Sequence, residues 1–425
     1  MEFVFPTETT IMICVLTVIL AVIPLHLFNN LWLKPKRLEK LIISQGLQGD
    51  PYKLSLLMDN SKQIYMMKLQ QEAKSKSIGL SKQAAPSIFS PSHQSVQKYG
   101  KNSFLWVGTT PNVIITDPEQ IKQVFNKNED FPKPKLTSIG KYLSNGLVNY
   151  EGEKWAKHRK IVNPAFHIEK LKGMLPAFFH SCNEMISKWK GLLSPDGTCE
   201  IDVWPFLQNM TCDAISRTAF GSSYEEGTKI FELLKKQGYL VMTARHTNIP
   251  LWRFPEWQAR ARREVLHVFG NQNPNFEGLS QLKIVTMILY EVLRLYPPVL
   301  YFNRVLRKDM KVGNVLLPAG TQVSLPIILI HQDNDIWGDD AKEFKPERFA
   351  EGIAKATKGQ VCYFPFGWGP RICLGQNFAL LEAKIVISLL LKNFSFELSP
   401  NYAHVPSMML TLKPKNGASI ILHKL

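Results

Sequence analysis

The sequence predicts a mainly α-helical protein with a small β component, preceded by an N-terminal membrane-anchor helix. The strongest helical signal runs from Leu279 to Tyr296, where apolar residues recur at every third or fourth position. Two short β-prone segments, 104–108 and 113–116, flank a Thr-Pro-Asn turn, and this pattern predicts a hairpin. The stretch from Ile11 to Phe28 contains no Asp, Glu, Lys or Arg, and its length is at the lower limit for a bilayer-spanning helix.

The residues after the apolar stretch favour a membrane anchor. Basic residues are frequent over 34–40, and such a flank places the rest of the chain in the cytosol. A cleaved signal peptide and a buried core helix are the alternatives, but the stretch lacks a basic leader and a clear small-residue cleavage site. The sequence therefore predicts an anchor and its flank over residues 1–33 and one cytosolic domain over residues 34–425.

The charge of the chain restricts its partners. A formal net charge of +16 is compatible with nucleic acid, an anionic membrane or an acidic protein. The basic residues are dispersed rather than gathered in a long tract, and 11% of the residues are aromatic. This distribution favours a membrane and an acidic protein as partners, and we expect no nucleic-acid binding.

The cysteines are few, and no two are spaced as Cys-x-x-Cys, which excludes the usual zinc and thioredoxin-like sites. No disulfide framework is implied, and a reducing compartment is expected. The six are Cys14, Cys182, Cys199, Cys212, Cys362 and Cys373.

One cysteine lies in a distinctive segment, residues 364–376, which is rich in glycine. Glycines permit a tight loop and the close approach of backbone to a flat group. Cys373 directly precedes a predicted helix whose N-terminal amides stabilise a thiolate, and Arg371 offers a guanidinium for a carboxylate. These features suit a haem with a cysteine axial ligand, and the alternative is a buried free cysteine at a loop–helix junction.

The fixed positions of this segment resemble the haem signature of the cytochrome P450 family. Phe366, Gly369, Arg371, Cys373 and Gly375 match it at every fixed position. The resemblance implies a cytochrome P450 fold and a haem b cofactor whose iron takes the Cys373 thiolate. It also implies that Phe366, Arg371 and Gly375 belong to the haem-binding set.

Further motifs follow the family's order. Glu291-Val-Leu-Arg294 resembles its Glu-x-x-Arg helix, and Pro346-Glu-Arg-Phe resembles the loop whose arginine, here Arg348, completes a buried structural network. Trp155-x-x-x-Arg159 resembles a haem-propionate motif, and Arg304 resembles another propionate-binding position.

A basic face surrounds the tryptophan of the propionate motif. Two interpretations stay open for it: an ordinary solvated face, or a surface that docks an acidic electron donor. The face consists of Lys154, Lys157, His158 and Lys160.

Residues 151–160 and 341–349 resemble the plant microsomal group that includes secologanin synthase. The resemblance implies a single-pass protein of the endoplasmic reticulum membrane with a cytosolic catalytic domain. It also implies that electrons come from NADPH only indirectly, through NADPH–cytochrome P450 reductase, and that the substrate is a hydrophobic, terpenoid-like small molecule.

The resemblance is interrupted near residues 254–255. The family carries there a long central helix with an Ala/Gly-Gly-x-Asp/Glu-Thr pattern, and this sequence contains no match to it. We expect an internal deletion on the order of a hundred residues, judged from the length of the chain. Because the acid and threonine deliver protons to bound dioxygen in the family, no catalytic residue is assigned in this chain.

Three interpretations of function remain open. The first is a haem-thiolate monooxygenase, as the family implies. The second is a non-catalytic haem-binding or membrane-scaffold protein, a shortened isoform that competes for the reductase. The third is a mis-joined gene model whose true product contains the missing helix.

Overall fold

The computed structural model describes residues 21–54, 91–135, 145–221, 254–402, 406–408, 412–414 and 416–425. The chain divides into two compact units. Unit 1 contains residues 1–73, 89–115 and 303–325, and unit 2 contains residues 74–88, 116–302 and 326–425.

Helices dominate the described residues, as predicted. In chain order they are α1 (Lys34–Ile43), α2 (Pro91–Tyr99), α3 (Pro118–Asn126), α4 (Gly152–Val162), α5 (Ile168–Gly191), α6 (Val203–Phe220), α7 (Pro255–Phe269), α8 (Phe276–Gln281), α9 (Lys283–Leu295), α10 (Ile327–His331), α11 (Asn334–Trp337), α12 (Ile353–Ala356) and α13 (Gln376–Asn393). A π-helical turn precedes α1 at Asn29–Leu33, and 3₁₀ turns occupy Asn163–Phe166, Pro346–Phe349 and Gly369–Arg371.

The strands are short and form small sheets. In chain order they are β1 (Gln48–Gly49), β2 (Ser103–Val107), β3 (Thr110–Ile114), β4 (Thr198–Asp202), β5 (Phe302–Val305), β6 (Met310–Val312), β7 (Val315–Leu317), β8 (Gln322–Leu325), β9 (Phe394–Leu398), β10 (Pro406–Met408), β11 (Leu412–Pro414) and β12 (Ser419–Lys424).

Unit 1 is built on a five-stranded sheet in the order β1-β2-β3-β8-β5. The predicted hairpin is present as β2 and β3, but its turn was placed wrongly. Thr110 begins the second strand and Pro111 pairs with Trp106, while Gly108 makes the turn with a φ of +62°. Proline is tolerated because β8 pairs with β3 only from Asn112 onward, so no neighbouring strand needs the missing N–H of Pro111.

The predicted anchor is described only in part, because residues 1–20 lie outside the described residues. Residues 21–28 are helical, and their large apolar side chains are exposed, with Leu25 at 67% and Phe28 at 54%. Among the residues that the structure describes, no helix is both long and apolar enough to cross a membrane.

Unit 2 has a helical core with a three-stranded sheet, in which β12 pairs with both β4 and β9. Helix α5 packs on α13, and Phe178 meets Phe378 edge to face with ring centroids 4.9 Å apart. Trp189, near the end of α5, lies 5.9 Å from the ring of Phe394 and is almost fully buried. Burial of such large side chains is the main favourable contribution to folding.

The single helix predicted over Leu279–Tyr296 is wrong, because the chain breaks at Leu282, where ψ is 93°. Helix α9 begins anew after this residue. The carboxylate of Glu264, on α7, accepts the three amides of residues 283–285 at 2.7, 2.7 and 3.0 Å. A carboxylate at a helix N-terminus both satisfies free N–H groups and interacts favourably with the helix dipole.

This cap gives a testable prediction. Replacing Glu264 with Ala leaves amides at 283–285 without their acceptor, and we expect a loss of about 1–3 kcal/mol in unfolding free energy. Urea denaturation followed by circular dichroism measures it. Arg263→Ala, at an exposed position of the same helix, is the control and should change stability by less than about 0.5 kcal/mol. Equal losses in the two variants would contradict the cap.

Candidate functional site

Cys373 lies in the loop that precedes α13. Its amide donates a hydrogen bond to the carbonyl of Phe366 at 2.9 Å, and its side chain is exposed. Gly375, which is half-buried, is the residue from which α13 begins. The loop therefore holds the sulfur-bearing residue just before a helix N-terminus, as the sequence predicted.

Two glycines give this loop its conformation. Gly367 and Gly369 have φ angles of +75° and +69°, which residues with a side chain rarely adopt. A Cβ on Gly369 would lie 2.9 Å from the backbone oxygen of Phe125, at the end of α3. Side chains are therefore excluded at this position by both backbone conformation and space, and the loop packs directly on α3.

Arg371 is buried in this loop, with only 7% of its side chain exposed. Its guanidinium lies 4.1 Å from the centroid of the Trp155 ring. Nη2 lies 2.8 Å from Oε2 of Glu151, but the pair is not aligned as a hydrogen bond. Among the described residues, neither Nη1 nor Nη2 has a hydrogen-bond acceptor. Burial lowers the pKa of Arg371, so the side chain lies where a further anion would be stabilising.

Arg159 joins helix α4 to the same loop. Its Nη1 donates to the carbonyl of Ile372 at 2.9 Å, and its Nε donates to Oδ1 of Asn163 at 2.7 Å. Trp155 lies one turn earlier on α4, so both predicted residues of this helix meet the cysteine loop. Of the predicted haem-binding set, the structure thus places Trp155, Arg159, Phe366, Arg371, Cys373 and Gly375 together.

Arg304 belongs to unit 1 and is described only within it. Its side chain is 5% exposed, and its Nη1 donates to the carbonyl of Asn303 at 2.8 Å. Its predicted place beside a propionate stays a prediction.

The predicted Glu–Arg–Arg residues lie together in unit 2. Arg294 Nε donates to Glu291 Oε2 at 2.7 Å, and Nη2 donates to Oε1 at 2.8 Å, with both side chains fully buried. Arg348 Nε lies 3.5 Å from Glu291 Oε1. Glu291 Oε1 also accepts the amide of Lys345 at 2.8 Å. The arrangement is a buried, charge-paired link between α9 and the chain around Pro346–Phe349.

The basic face of α4 is partly engaged by a tyrosine. Lys154 Nζ lies 3.9 Å from the ring centroid of Tyr150, and the His158 ring meets the same ring at 4.8 Å. Lys157 and Lys160 are exposed. Both interpretations of this face therefore remain predictions.

Two residues of this region were not found from the sequence. Glu151 precedes α4, and its partner Arg371 is distant along the chain. His331 is fully buried between Arg294 and Phe364, which are 37 and 33 residues away from it in sequence. Neither belongs to a short-spaced pattern, so periodicity and motif spacing contain no signal for them.

Comparison with known proteins finds similarity over the whole chain. A family model described as "Cytochrome P450" matches residues 78–254 and 249–422. The chain is 65% identical to an 11-oxo-beta-amyrin 30-oxidase of Medicago truncatula, with 100% of this chain and 99% of that protein covered. It is 64% identical to Cytochrome P450 CYP72A613 of Trigonella foenum-graecum, with 100% of each covered. An 11-oxo-beta-amyrin 30-oxidase of Glycyrrhiza uralensis is 64% identical, with 97% and 98% covered.

The same comparisons contain a difference in length. The alignment with the Medicago protein runs over 521 positions, 96 more than the 425 residues of this chain. The two stretches matched by the family model overlap at residues 249–254.

Proposed function

Because this chain is a member of the cytochrome P450 family, of the plant CYP72 type, we propose that it binds haem b through Cys373 and belongs to the monooxygenases of plant terpenoid metabolism. The observation that carries this proposal is the buried Arg371 beside the cysteine loop, whose Nη2 lies 2.8 Å from the Glu151 carboxylate and whose Nη1 has no hydrogen-bond acceptor in the described part of the chain.

The residues present fit a haem. Haem carries two carboxylates and an iron that accepts a thiolate, and when bound it supplies the redox chemistry of oxygen activation. Cys373 provides the thiolate, and Arg371, stacked on Trp155, provides a desolvated cation for one carboxylate. Arg159 fixes the loop next to the cysteine through the Ile372 carbonyl, and Arg304 is assigned to the propionates on the resemblance.

The sequence contains no match to the acid–threonine pattern that delivers protons in the family. We propose an internal deletion near residues 254–255, supported by the 96 extra alignment positions and by the meeting of the two family matches at 249–254. A site that activates oxygen must deliver protons and keep bulk water out. The absent acid–threonine pattern is the element that would do this. Haem binding by this chain therefore does not by itself imply turnover.

The substrate class follows from the relatives. Two of them carry the name 11-oxo-beta-amyrin 30-oxidase, and we assign to this chain a hydrophobic, terpenoid-like small molecule as substrate.

The proposed setting is the endoplasmic reticulum membrane, with residues 1–33 as anchor and the domain in the cytosol. The exposed apolar side chains over 21–28 support this assignment. NADPH–cytochrome P450 reductase is the proposed electron donor, and NADPH acts only through it. The exposed Lys157 and Lys160 of α4 lie on the helix that contacts the cysteine loop, which supports docking of an acidic protein there.

A second candidate function is favoured by the difference in length. A chain that keeps the cysteine side of the site and lacks the oxygen-activating segment would bind haem and occupy the reductase without forming product. A mis-joined gene model is the third interpretation, and sequencing the transcript across Phe254–Pro255 decides it.

The experiment that tests the proposal is the carbon monoxide difference spectrum of the reduced 425-residue protein. We expect a thiolate-type Soret band, its loss in Cys373→Ala, and a haem content about tenfold lower in Arg371→Gln, because one charged hydrogen-bonding partner contributes about 1.5–3 kcal/mol. Arg263→Gln, at an exposed arginine of α7, is the control and should keep the wild-type haem content.

The outcomes separate the candidates. A thiolate band together with NADPH-dependent oxidation of a terpenoid supports the monooxygenase. A thiolate band with reductase binding and no product supports the non-catalytic candidate. Absence of haem, or a band that persists in Cys373→Ala, would overturn the proposed ligand.

A further inference from the structure

A buried histidine links the Glu291–Arg294 ion pair to the cysteine loop. His331 ends α10 and is fully buried. Its Nε2 lies 2.9 Å from the amide nitrogen of Phe364, and its Nδ1 lies 3.1 Å from the carbonyl oxygen of Arg294. A backbone N–H can only donate and a carbonyl can only accept. The two partners therefore require a neutral imidazole with its proton on Nδ1.

The surroundings hold this imidazole in place. Arg294 Nη1 donates to the carbonyl of His331 at 2.6 Å. Each of the two residues therefore donates a side-chain hydrogen bond to the backbone carbonyl of the other. The ring stacks on Tyr363 with centroids 5.3 Å apart and an angle of 24°, and Tyr363 donates its hydroxyl to the carbonyl of Tyr290. Burial, and then the charge of Arg294, lowers the pKa of His331 to about 3, in agreement with a neutral ring.

The other partner of His331 begins the loop that contains Cys373. The carbonyl of Phe364 accepts the amide of Gly367 at 3.0 Å, which forms the first turn of the loop. The Phe364 ring is fully buried and lies 5.7 Å from the ring of Phe125. One side chain thus fixes the start of the loop to the fully buried Glu291–Arg294 pair.

We propose that His331 is a positioning residue for Cys373, which holds the start of the cysteine loop in register with the Glu291–Arg294 pair. It acts through the Phe364 backbone and touches no reacting group. The part of this proposal that concerns haem rests on the proposed function of Cys373, whereas the effect on the loop does not.

The test is hydrogen exchange measured by mass spectrometry on the haem-free chain of 425 residues in detergent. His331→Leu leaves the Phe364 N–H and the Arg294 carbonyl buried without partners. We expect exchange over residues 363–375 to become about tenfold faster or more, because an unsatisfied buried group increases local opening. Exchange over Ile168–Gly191, which is α5 of the same unit, should not change.

The conservative variant is His331→Gln. Its amide has one acceptor and one donor at nearly the separation of the two imidazole nitrogens, so it can serve both partners. We expect exchange over 363–375 to stay within about threefold of the wild type. In haem-loaded samples, the thiolate-type share of the reduced carbon monoxide spectrum should fall in the Leu variant and return in the Gln variant.

Several results would overturn the proposal. One is unchanged exchange over 363–375 in a folded Leu variant, and another is acceleration of α5 and the loop together in both variants. If only the Leu variant unfolds, His331→Asn decides, because its shorter side chain reaches Arg294 but not Phe364. The local acceleration is then expected in Asn and absent in Gln, and its absence in Asn overturns the proposal. If exchange over 363–375 is faster in His331→Leu than in the wild type but the wild type binds no haem, the proposed function fails and the loop-positioning role stands.

Discussion

Replacing Glu291 with Gln is expected to lower the unfolding free energy by about 3–5 kcal/mol. The variant keeps the shape of the side chain but removes the negative charge. The guanidinium of Arg294, which is fully buried, is then left without its ionic partner. Arg348, 3.5 Å from the same carboxylate, loses part of its compensation as well. Removing one member of a buried pair is costly because the remaining charge stays out of water.

Urea unfolding at neutral pH, followed by circular dichroism, measures this loss. Glu347→Gln is the matched control, since Glu347 pairs with Arg260 at 2.9 Å on the surface, with both side chains more than a third exposed. The same chemical change there should cost no more than about 1 kcal/mol. Similar losses in the two variants would show that Glu291 is not the centre of a buried charge network.

The second large effect concerns Glu382 on α13 and depends on pH. Its Oε1 atom is enclosed and has no hydrogen-bond partner among the described residues, although the residue as a whole is only partly buried. Burial raises the pKa of this carboxyl from 4.5 to about 8. The nearby thiol of Cys182 also has a pKa raised to about 12, first by burial and then by the Glu382 charge. A protonated Glu382 is therefore favoured in the folded protein.

The sign of the pH dependence follows from the higher pKa in the folded state. The folded protein binds the proton more tightly than the unfolded chain, so the stabilisation is complete below pH 4.5 and is lost as pH rises through about 8. At about 1.36 kcal/mol per pH unit, the loss over this range is roughly 4–5 kcal/mol. Glu382→Gln removes this loss, and its unfolding free energy should exceed that of the wild type by an increasing margin as pH rises.

The measurement is a series of urea unfolding curves between pH 4.5 and pH 8 for both proteins. Other groups that titrate in this range act equally in both, so the difference between the curves isolates Glu382. Glu256→Gln, at an exposed glutamate of α7, should follow the wild-type curve at every pH. A constant difference between Glu382→Gln and the wild type would mean that folding does not raise the pKa of this carboxyl.

The sequence was most informative where chemistry depends on short spacing. Glu291 and Arg294 were predicted to share a helix face, and their atoms meet at 2.7 Å. The glycine-rich segment around Cys373 was predicted to be a tight loop before a helix, and its amide hydrogen bonds and positive φ angles agree. Such features are local, because the residues that need one another are neighbours along the chain.

Contacts between residues that are distant in sequence could not be predicted from motif spacing. The continuous apolar period over Leu279–Tyr296 hides the break at Leu282, because the break depends on a carboxylate of another helix, Glu264. His331 was overlooked for the same reason, since its two partners come from α9 and from the cysteine loop. A lone polar residue in an apolar helix has no pattern that reveals its partner.

Side chains of helix α7 form hydrogen bonds with other elements of unit 2. Besides the Glu264 cap, Arg262 donates to the carbonyls of Leu391 and Phe394, and Gln258 donates to that of Phe396. All the residues that form these bonds follow Phe254 in the chain. The bonds therefore do not depend on which residues precede helix α7. Chain connectivity can therefore change immediately before α7 while its docking is retained, and a polypeptide supplied as two fragments separated at this point should keep α7, α9 and α13 associated within the second fragment.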